Sequence, residues 1–169
     1  MQPTIALPNA GLVLINAYIP MLFERLGLIE DRQFTTSTNQ TDAVHYLQYL
    51  VTGLEHTQES LLVLNKVLSG VEVSTPIENG ISISEENKKL MDGLLDAVIG
   101  YWPALGNTTI DGFRGNWLVR DGVLTEQEDR WELKVEKKAY DLLIHKSPFS
   151  FSIIKLPWMQ KPLHVEWFY

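Results

Sequence analysis

The chain has 169 residues, an apolar share of 45%, a charged share of 21% and a formal net charge of −7. These values are typical of one globular domain with a substantial core, to which five Trp and six Phe contribute large, rigid side chains. The negative charge argues against a protein that binds nucleic-acid phosphates, and the absence of cysteine excludes disulfides and thiolate metal sites. No stretch reaches the roughly 20 consecutive apolar residues of a membrane span, so we expect no membrane partner.

The first two thirds of the chain carry the helical patterns. Thr4 to Leu7 is a short extended segment, and Asn9 is a good N-cap for the helix that follows. Pro20 should kink or split that helix because proline lacks the backbone N–H. The predicted helices cover Ala10 to Leu26, Thr41 to Thr52, the stretch between Thr57 and Gly70, Glu85 to Trp102, and a segment that begins between Thr108 and Asp111.

The last third carries the strand patterns. Trp131, Leu133 and Val135 alternate with charged residues, which predicts a half-buried strand in a hairpin with Val123 to Thr125. Shorter elements are predicted at Ala139 to Ile144, which forms helical turns, and at two strands, Phe149 to Ile153 and His164 to Phe168. We therefore predict an α+β fold, in which N-terminal and central helices pack with a small antiparallel sheet formed by the C-terminal third.

The residue types that carry chemistry are not grouped into a catalytic motif. The four histidines are far apart, and none has an acidic neighbour at metal-ligand spacing. Asp92 and Asp96 are four residues apart on the polar face of one helix, where solvated carboxylates are the favoured interpretation. A nucleophile elbow and a Gly-rich phosphate loop are both missing from the sequence. We therefore predict no catalytic, cofactor-binding or metal-binding residue.

Three features are candidates for contact with a partner protein. Arg114 is interpreted first as the ion-pair partner of Asp111 at a helix start, and second as an interface residue. Trp158 and Met159 lie between two prolines, where core packing competes with a role as a docking knob. The acidic hairpin loop, with Glu126, Glu128 and Asp129, is the third candidate.

Eight segments of the chain are distinctive as a set. They are residues 8–14, 22–28, 43–53, 102–105, 107–112, 135–143, 154–159 and 162–167. Taken together and in this order, they resemble the C-terminal region of contractile injection system tape measure proteins. The similarity covers nearly the whole chain, although no single motif is specific. A departure is the stretch from Phe113 to Trp117, where the family tends to have Leu-Arg-x-x-Phe.

The resemblance implies a structural, non-enzymatic protein of a phage-tail-like contractile particle, in which the tape measure sets the length of the inner tube. A folded domain of this size has a radius of gyration of about 15 Å, and even one continuous helix would span only about 250 Å. We therefore expect residues 1–169 to be one globular domain, the C-terminal anchoring domain of a longer tape measure chain.

Partners and location also follow from the resemblance. The implied partners are baseplate, hub, spike, tube or terminator proteins. The resemblance allows an oligomer within the particle, and it implies no cofactor. The implied location is the bacterial cytoplasm during assembly and then the released extracellular particle. The alternatives are a glycan or cell-wall hydrolase, marked by two carboxylates converging in an aromatic cleft, and a cargo adaptor, marked by an exposed apolar groove.

Overall fold

The computed structural model describes residues 3–168 and confirms the α+β class. The α-helices are α1 (Ile19–Arg25), α2 (Ser37–Thr52), α3 (Val63–Leu68), α4 (Glu85–Gly100) and α5 (Ile110–Phe113). Short 3-10 segments cover Ala10–Tyr18, Glu59–Leu61, Pro103–Leu105 and Ala139–Lys146, and a π-helical segment, Arg114–Leu118, continues α5. The strands are β1 (Thr4–Leu7), β2 (Ile29–Glu30), β3 (Gln33–Phe34), β4 (Gly122–Glu126), β5 (Trp131–Val135), β6 (Ile153–Ile154) and β7 (Leu163–Glu166).

The main sheet has five strands in the order β1-β4-β5-β7-β6, and it differs from the predicted antiparallel sheet in two ways. Its edge strand β1 comes from the N-terminus and pairs with β4, so the sheet is not formed by the C-terminal third alone. Strands β5 and β7 are parallel, which makes the sheet mixed. A parallel pair needs a crossover connection, and here the segment between the two strands, with the 3-10 turns of Ala139–Lys146, provides it.

The hairpin of β4 and β5 has the predicted alternation of buried and exposed side chains. Leu124 and Leu133 face each other across the pair and are fully buried, whereas Val123 and Lys134 face solvent. The strand predicted over Phe149 to Ile153 is shorter than expected, since only Ile153–Ile154 forms a strand beside β7, with one further hydrogen bond from the Val165 N–H to the Ser152 carbonyl at 2.9 Å. Farther upstream, the Ser150 carbonyl accepts a hydrogen bond from the Asn16 side chain at 2.9 Å instead.

The predicted helix over Ala10 to Leu26 is two helices. The chain forms 3-10 turns over Ala10–Tyr18 and then α1, which has Pro20 in its first turn, where a missing N–H costs nothing. The break falls between Tyr18 and Ile19, next to Pro20, which was predicted to kink or split this helix. Residues 12–15 are fully buried in succession, so this segment is enclosed on all sides.

Asn9 does not cap this segment through its side chain, which was the prediction. Its side-chain amide instead donates to Gln48 Oε1 at 3.0 Å and to Asn65 Oδ1 at 2.6 Å. Asn65 in turn donates to Gln48 Oε1 at 3.1 Å and to the Val44 carbonyl at 3.0 Å. All three amides are buried, where unpaired polar groups are costly, so this network ties the N-terminal segment to α2 and α3.

The other helix boundaries shift by a few residues from those predicted. α2 begins at Ser37, four residues before the predicted start at Thr41, because Thr36 accepts the N-capping hydrogen bond from the Asn39 N–H. Gly53 ends α2 in the left-handed conformation with φ 75°. α4 begins after Ser84, whose side chain accepts from the Asn87 N–H, and it ends at Gly100, two residues before the predicted end at Trp102.

The central feature of the packing is a close approach between the N-terminal 3-10 segment and the π-helical segment. A Cβ built on Gly11 would overlap the carbonyl oxygen of Trp117, so only glycine fits there. Nearby, the Ala10 N–H donates to the carbonyl oxygen of Arg120 at 2.8 Å. Within residues 3–168, none of the helices is both long and apolar enough to cross a membrane.

We predict that Gly11→Ala lowers the free energy of unfolding by about 3 kcal/mol, because the added methyl group has no space against a backbone carbonyl. Gly115→Ala is the matched control, since a Cβ there meets no atom within 4 Å and should change stability by less than about 1 kcal/mol. Urea unfolding followed by tryptophan fluorescence measures both variants. Equal unfolding midpoints would contradict this account of the packing.

Candidate interaction surface

Arg114 is occupied by contacts within the chain. Its Nε and Nη2 donate at 3.1 Å to the carbonyl oxygens of Leu50 and Tyr49, in the last turn of α2. Its Nη1 lies 3.3 Å from a carboxylate oxygen of Asp111, the predicted ion-pair partner. The side chain is only 10% exposed, and it therefore caps the C-terminus of α2, where a positive charge is favoured.

Trp158 and Met159 are also held by internal contacts. The Trp158 indole donates to the Leu68 carbonyl at 2.7 Å and packs with Phe23 and Phe34, whose ring centroids lie 5.4 and 5.2 Å away. Met159 is 4% exposed, so a partner could reach its side chain only after it had left the core. These contacts match the core-packing interpretation of this loop, and contact with a partner through either residue stays an untested prediction.

The acidic loop lies on the surface, between β4 and β5. Glu128 and Asp129 are exposed, and Glu126 is half exposed, with its carboxylate 2.7 Å from the Lys161 ammonium. Lys161 also donates to the Gln127 carbonyl at 2.8 Å, which holds the loop in place. The loop is therefore both accessible and positioned by a contact from the segment that precedes β7.

A cleft of about 340 Å³ lies beside this loop, and we call it the acidic cleft. Glu72, Glu126 and Glu128 line it together with Trp131 and Lys161. The Lys161 ammonium sits 5.2 Å from the centroid of the Trp131 ring. Three carboxylates against one ammonium give the cleft a negative potential, which favours a partner with Lys or Arg at its contact.

The carboxylates of the acidic cleft differ from those of a glycosidase. A general acid in such an enzyme lies in an apolar, desolvated pocket that raises its pKa. Glu126 is 52% exposed at its side chain and Glu128 is exposed, so water solvates both carboxylates. The arrangement is suited to binding a cationic surface.

A buried ion pair, which was not predicted from the sequence, holds the C-terminal segment against the rest of the fold. Arg120 Nη1 and Asp141 Oδ2 are 2.8 Å apart, and both side chains are completely buried. Asp141 Oδ2 also accepts from the indole N–H of Trp167 at 2.8 Å and from the Lys138 N–H at 3.0 Å. We call this group the Arg120–Asp141–Trp167 clamp.

Aromatic rings and carbonyl oxygens complete the surroundings of Arg120. Its guanidinium lies 5.6, 5.5 and 5.1 Å from the ring centroids of Trp117, Tyr140 and Trp167. It also donates to the carbonyl oxygens of Glu136 at 3.0 Å and Asn116 at 2.8 Å. Such a set of partners offsets the large cost of desolvating a buried cation.

The clamp determines the pKa of Asp141. Burial by itself would raise this pKa, but the hydrogen bonds from Arg120, Trp167 and the Lys138 N–H outweigh burial and hold it below its usual value. The ionised form is therefore the one bound in the folded protein. Its contribution to stability is present at neutral pH and is lost as pH falls through the folded pKa.

The remaining candidates for a metal site are the histidines and the acids outside the acidic cleft and the clamp. Among residues 3–168, no group of three His, Asp or Glu side chains is placed to hold a metal ion. His45, in a cavity of about 400 Å³ with Asp42 and Glu78, donates Nε2–H to the Glu78 carbonyl at 2.7 Å. Burial lowers the pKa of His45 and raises that of Asp42, which is consistent with a neutral, structurally bonded imidazole.

The fold and this surface define a domain with an accessible acidic cleft. The family model described as contractile injection system tape measure protein matches residues 1–167, so the chain belongs to that family. This confirms the family that the sequence segments indicated, and it makes the chain a structural component of a contractile injection system. Comparisons with curated proteins and with solved structures gave no significant match.

We predict that Asp141→Asn lowers the free energy of unfolding by about 3 kcal/mol at pH 7, because it leaves Arg120 as an uncompensated buried charge. The difference from the unchanged chain should shrink as pH falls below about 3.9, the ordinary Asp value, because Asp141 of the unfolded chain then binds a proton while the folded carboxylate, with its lower pKa, is still ionised. Unfolding by urea at pH 7 and pH 3 measures this. Asp129→Asn, at an exposed carboxylate, is the control, and an equal loss in both variants would contradict the role of the clamp.

Proposed function

We propose that this chain is the terminal anchoring domain of a tape measure protein, and that it docks on a baseplate, hub or tube-end protein of the particle without catalysing a reaction. On this proposal residues 1–169 form one domain of a longer tape measure chain. The domain would be made in the bacterial cytoplasm and would remain in the released particle. Membership of the tape measure family supports the proposal.

The observation that carries the proposal is the closed tertiary structure. A ruler must be extended, with about 1.5 Å per residue in a helix. The longest helices here have 16 residues, and β1 and β7 lie in one sheet although they come from opposite ends of the described chain. The clamp further ties Trp167 to the segment after β5. A compact unit of this kind can hold a position, whereas it cannot measure a long tube.

The acidic cleft is the surface we propose for docking. Glu128 in its lining and Asp129 in the adjoining loop are both exposed, so a partner can reach them. Because surface charges act mainly on the rate of association and on orientation, a basic patch on the partner would steer the encounter. The interaction should therefore weaken as the salt concentration rises.

We predict that Glu128→Lys combined with Asp129→Lys weakens binding to the anchoring partner about tenfold at low salt. Co-purification of the unchanged chain with individually expressed hub, tube and terminator proteins identifies the partner. Titration of that partner with the unchanged chain and with each variant then measures the affinities. Glu24→Lys with Glu30→Lys is the control, because it makes the same charge change at exposed positions elsewhere. Equal affinities of the two double variants would contradict docking through the acidic cleft, and binding to none of the proteins would contradict anchoring.

A second prediction separates an anchor from a ruler. In complete particles that carry the Glu128→Lys and Asp129→Lys changes, we expect fewer assembled particles, with the length of the inner tube unchanged. The reason is that weak anchoring lowers the yield of initiation but leaves the measuring segment intact. Electron microscopy gives both quantities, and a change in tube length without a loss of particles would contradict the proposal.

The hydrolase alternative predicts a different result. The chain, incubated with peptidoglycan, would release soluble fragments, and Glu126→Gln would abolish that release. We expect no release from either chain. The solvated state of the cleft carboxylates supports this expectation.

A further inference from the structure

A second groove, between α1 and α4, lies apart from the acidic cleft. It encloses about 490 Å³, and we call it the helix groove. Its apolar lining includes Met21 and Tyr101, which are 41% and 57% exposed. Exposed apolar side chains grouped in a groove are typical of a surface that binds a partner.

Gly93 lies in the helix groove at the middle of α4, which spans the 16 residues Glu85–Gly100. A Cβ at this position would meet no atom within 4 Å. Glycine inside a helix costs about 1 kcal/mol relative to alanine, and no contact within the described chain requires it. Because Gly93 has no side chain, the backbone of a second helix can approach α4 closely at this position.

Lys89 and Asp96, the charged residues beside Gly93, are placed so that Lys89 of one copy can pair with Asp96 of a second copy. Helical geometry places Lys89 about 6 Å before Gly93 and Asp96 about 4.5 Å after it along the axis, both displaced to the same side of the helix by roughly 40 to 60°. Both side chains are exposed, and neither forms an ion pair with another described residue. When two α4 helices pack antiparallel across Gly93, Lys89 of each copy faces Asp96 of the other.

We propose that two copies of this chain associate through the helix groove, with their α4 helices antiparallel about a two-fold axis at Gly93. The contact is self-complementary, as a two-fold interface requires. The apolar rim of each copy covers that of the other, and two Lys89–Asp96 pairs fix the register. This inference does not rest on the anchoring function, because it needs only the chain itself.

Sedimentation equilibrium of the chain over a range of concentrations tests the proposal. We expect a reversible monomer–dimer equilibrium that weakens as salt is added, since the charge pairs are exposed to solvent. Lys89→Glu and Asp96→Lys should each raise the dimer dissociation constant about tenfold, because each change places two like-charge pairs in the contact. The double change should restore dimerisation, since it rebuilds both pairs with reversed sign.

Two further variants complete the test. Gly93→Leu fills the closest approach and should abolish the dimer, with circular dichroism showing that the monomer is folded. Lys137→Glu, at an exposed lysine outside α4, should leave the dimer unchanged. A chain that is monomeric at all concentrations, or a dimer that Lys89→Glu affects no more than Lys137→Glu does, would overturn the proposal.

Discussion

The ion pair between Arg120 and Asp141 lies where the N-terminal and C-terminal segments of this molecule meet. Its two side chains are fully buried, 2.8 Å apart, and Trp167 donates to the same carboxylate oxygen. The Arg120 carbonyl also accepts from Ala10, so one residue contacts both the N-terminal segment and the C-terminal segment. A buried pair of this kind adds little net stability over an apolar one, but removing either partner is costly, and so it specifies one arrangement of the chain.

That arrangement bears directly on how a member of the tape measure family can work in a particle. The clamp, the Asn9 network and the mixed sheet bring together segments from the whole described chain. Extending such a unit would expose a buried charge and a buried amide network, and both exposures are costly because each leaves polar groups without their partners. The physical properties of this chain therefore suit attachment at one place, and the exposed acidic cleft offers a surface for it.

The sequence predicted what depends on local pattern and missed what depends on distant partners. Helices α2 and α4 and the β4–β5 hairpin were predicted because period and capping are local signals. The pairing of β1 with β4 and the parallel pairing of β5 with β7 were missed, since the choice of strand partner depends on contacts far along the chain. Pro20 was predicted to kink or split the N-terminal helix, and the chain is divided there into 3-10 turns and α1.

The same reasoning applies to the site. Glu126, Glu128 and Asp129 were found because an acidic run between two strand patterns indicates an exposed loop. Their neighbours in the cleft, Glu72 and Lys161, come from other parts of the chain and had no local signal. Arg120 and Asp141 were missed because each is an ordinary charged residue until its partner is known, and the aromatic residues around them were the only hint.

The most direct measurement of the central claim is the position of this domain in an intact particle. A small electron-dense label fused to the chain and imaged in assembled particles shows where the domain lies along the tube. Anchoring predicts label at one end of the inner tube, at a fixed distance from that end in every particle. Label spread along the lumen, or at distances that vary with tube length, would contradict it.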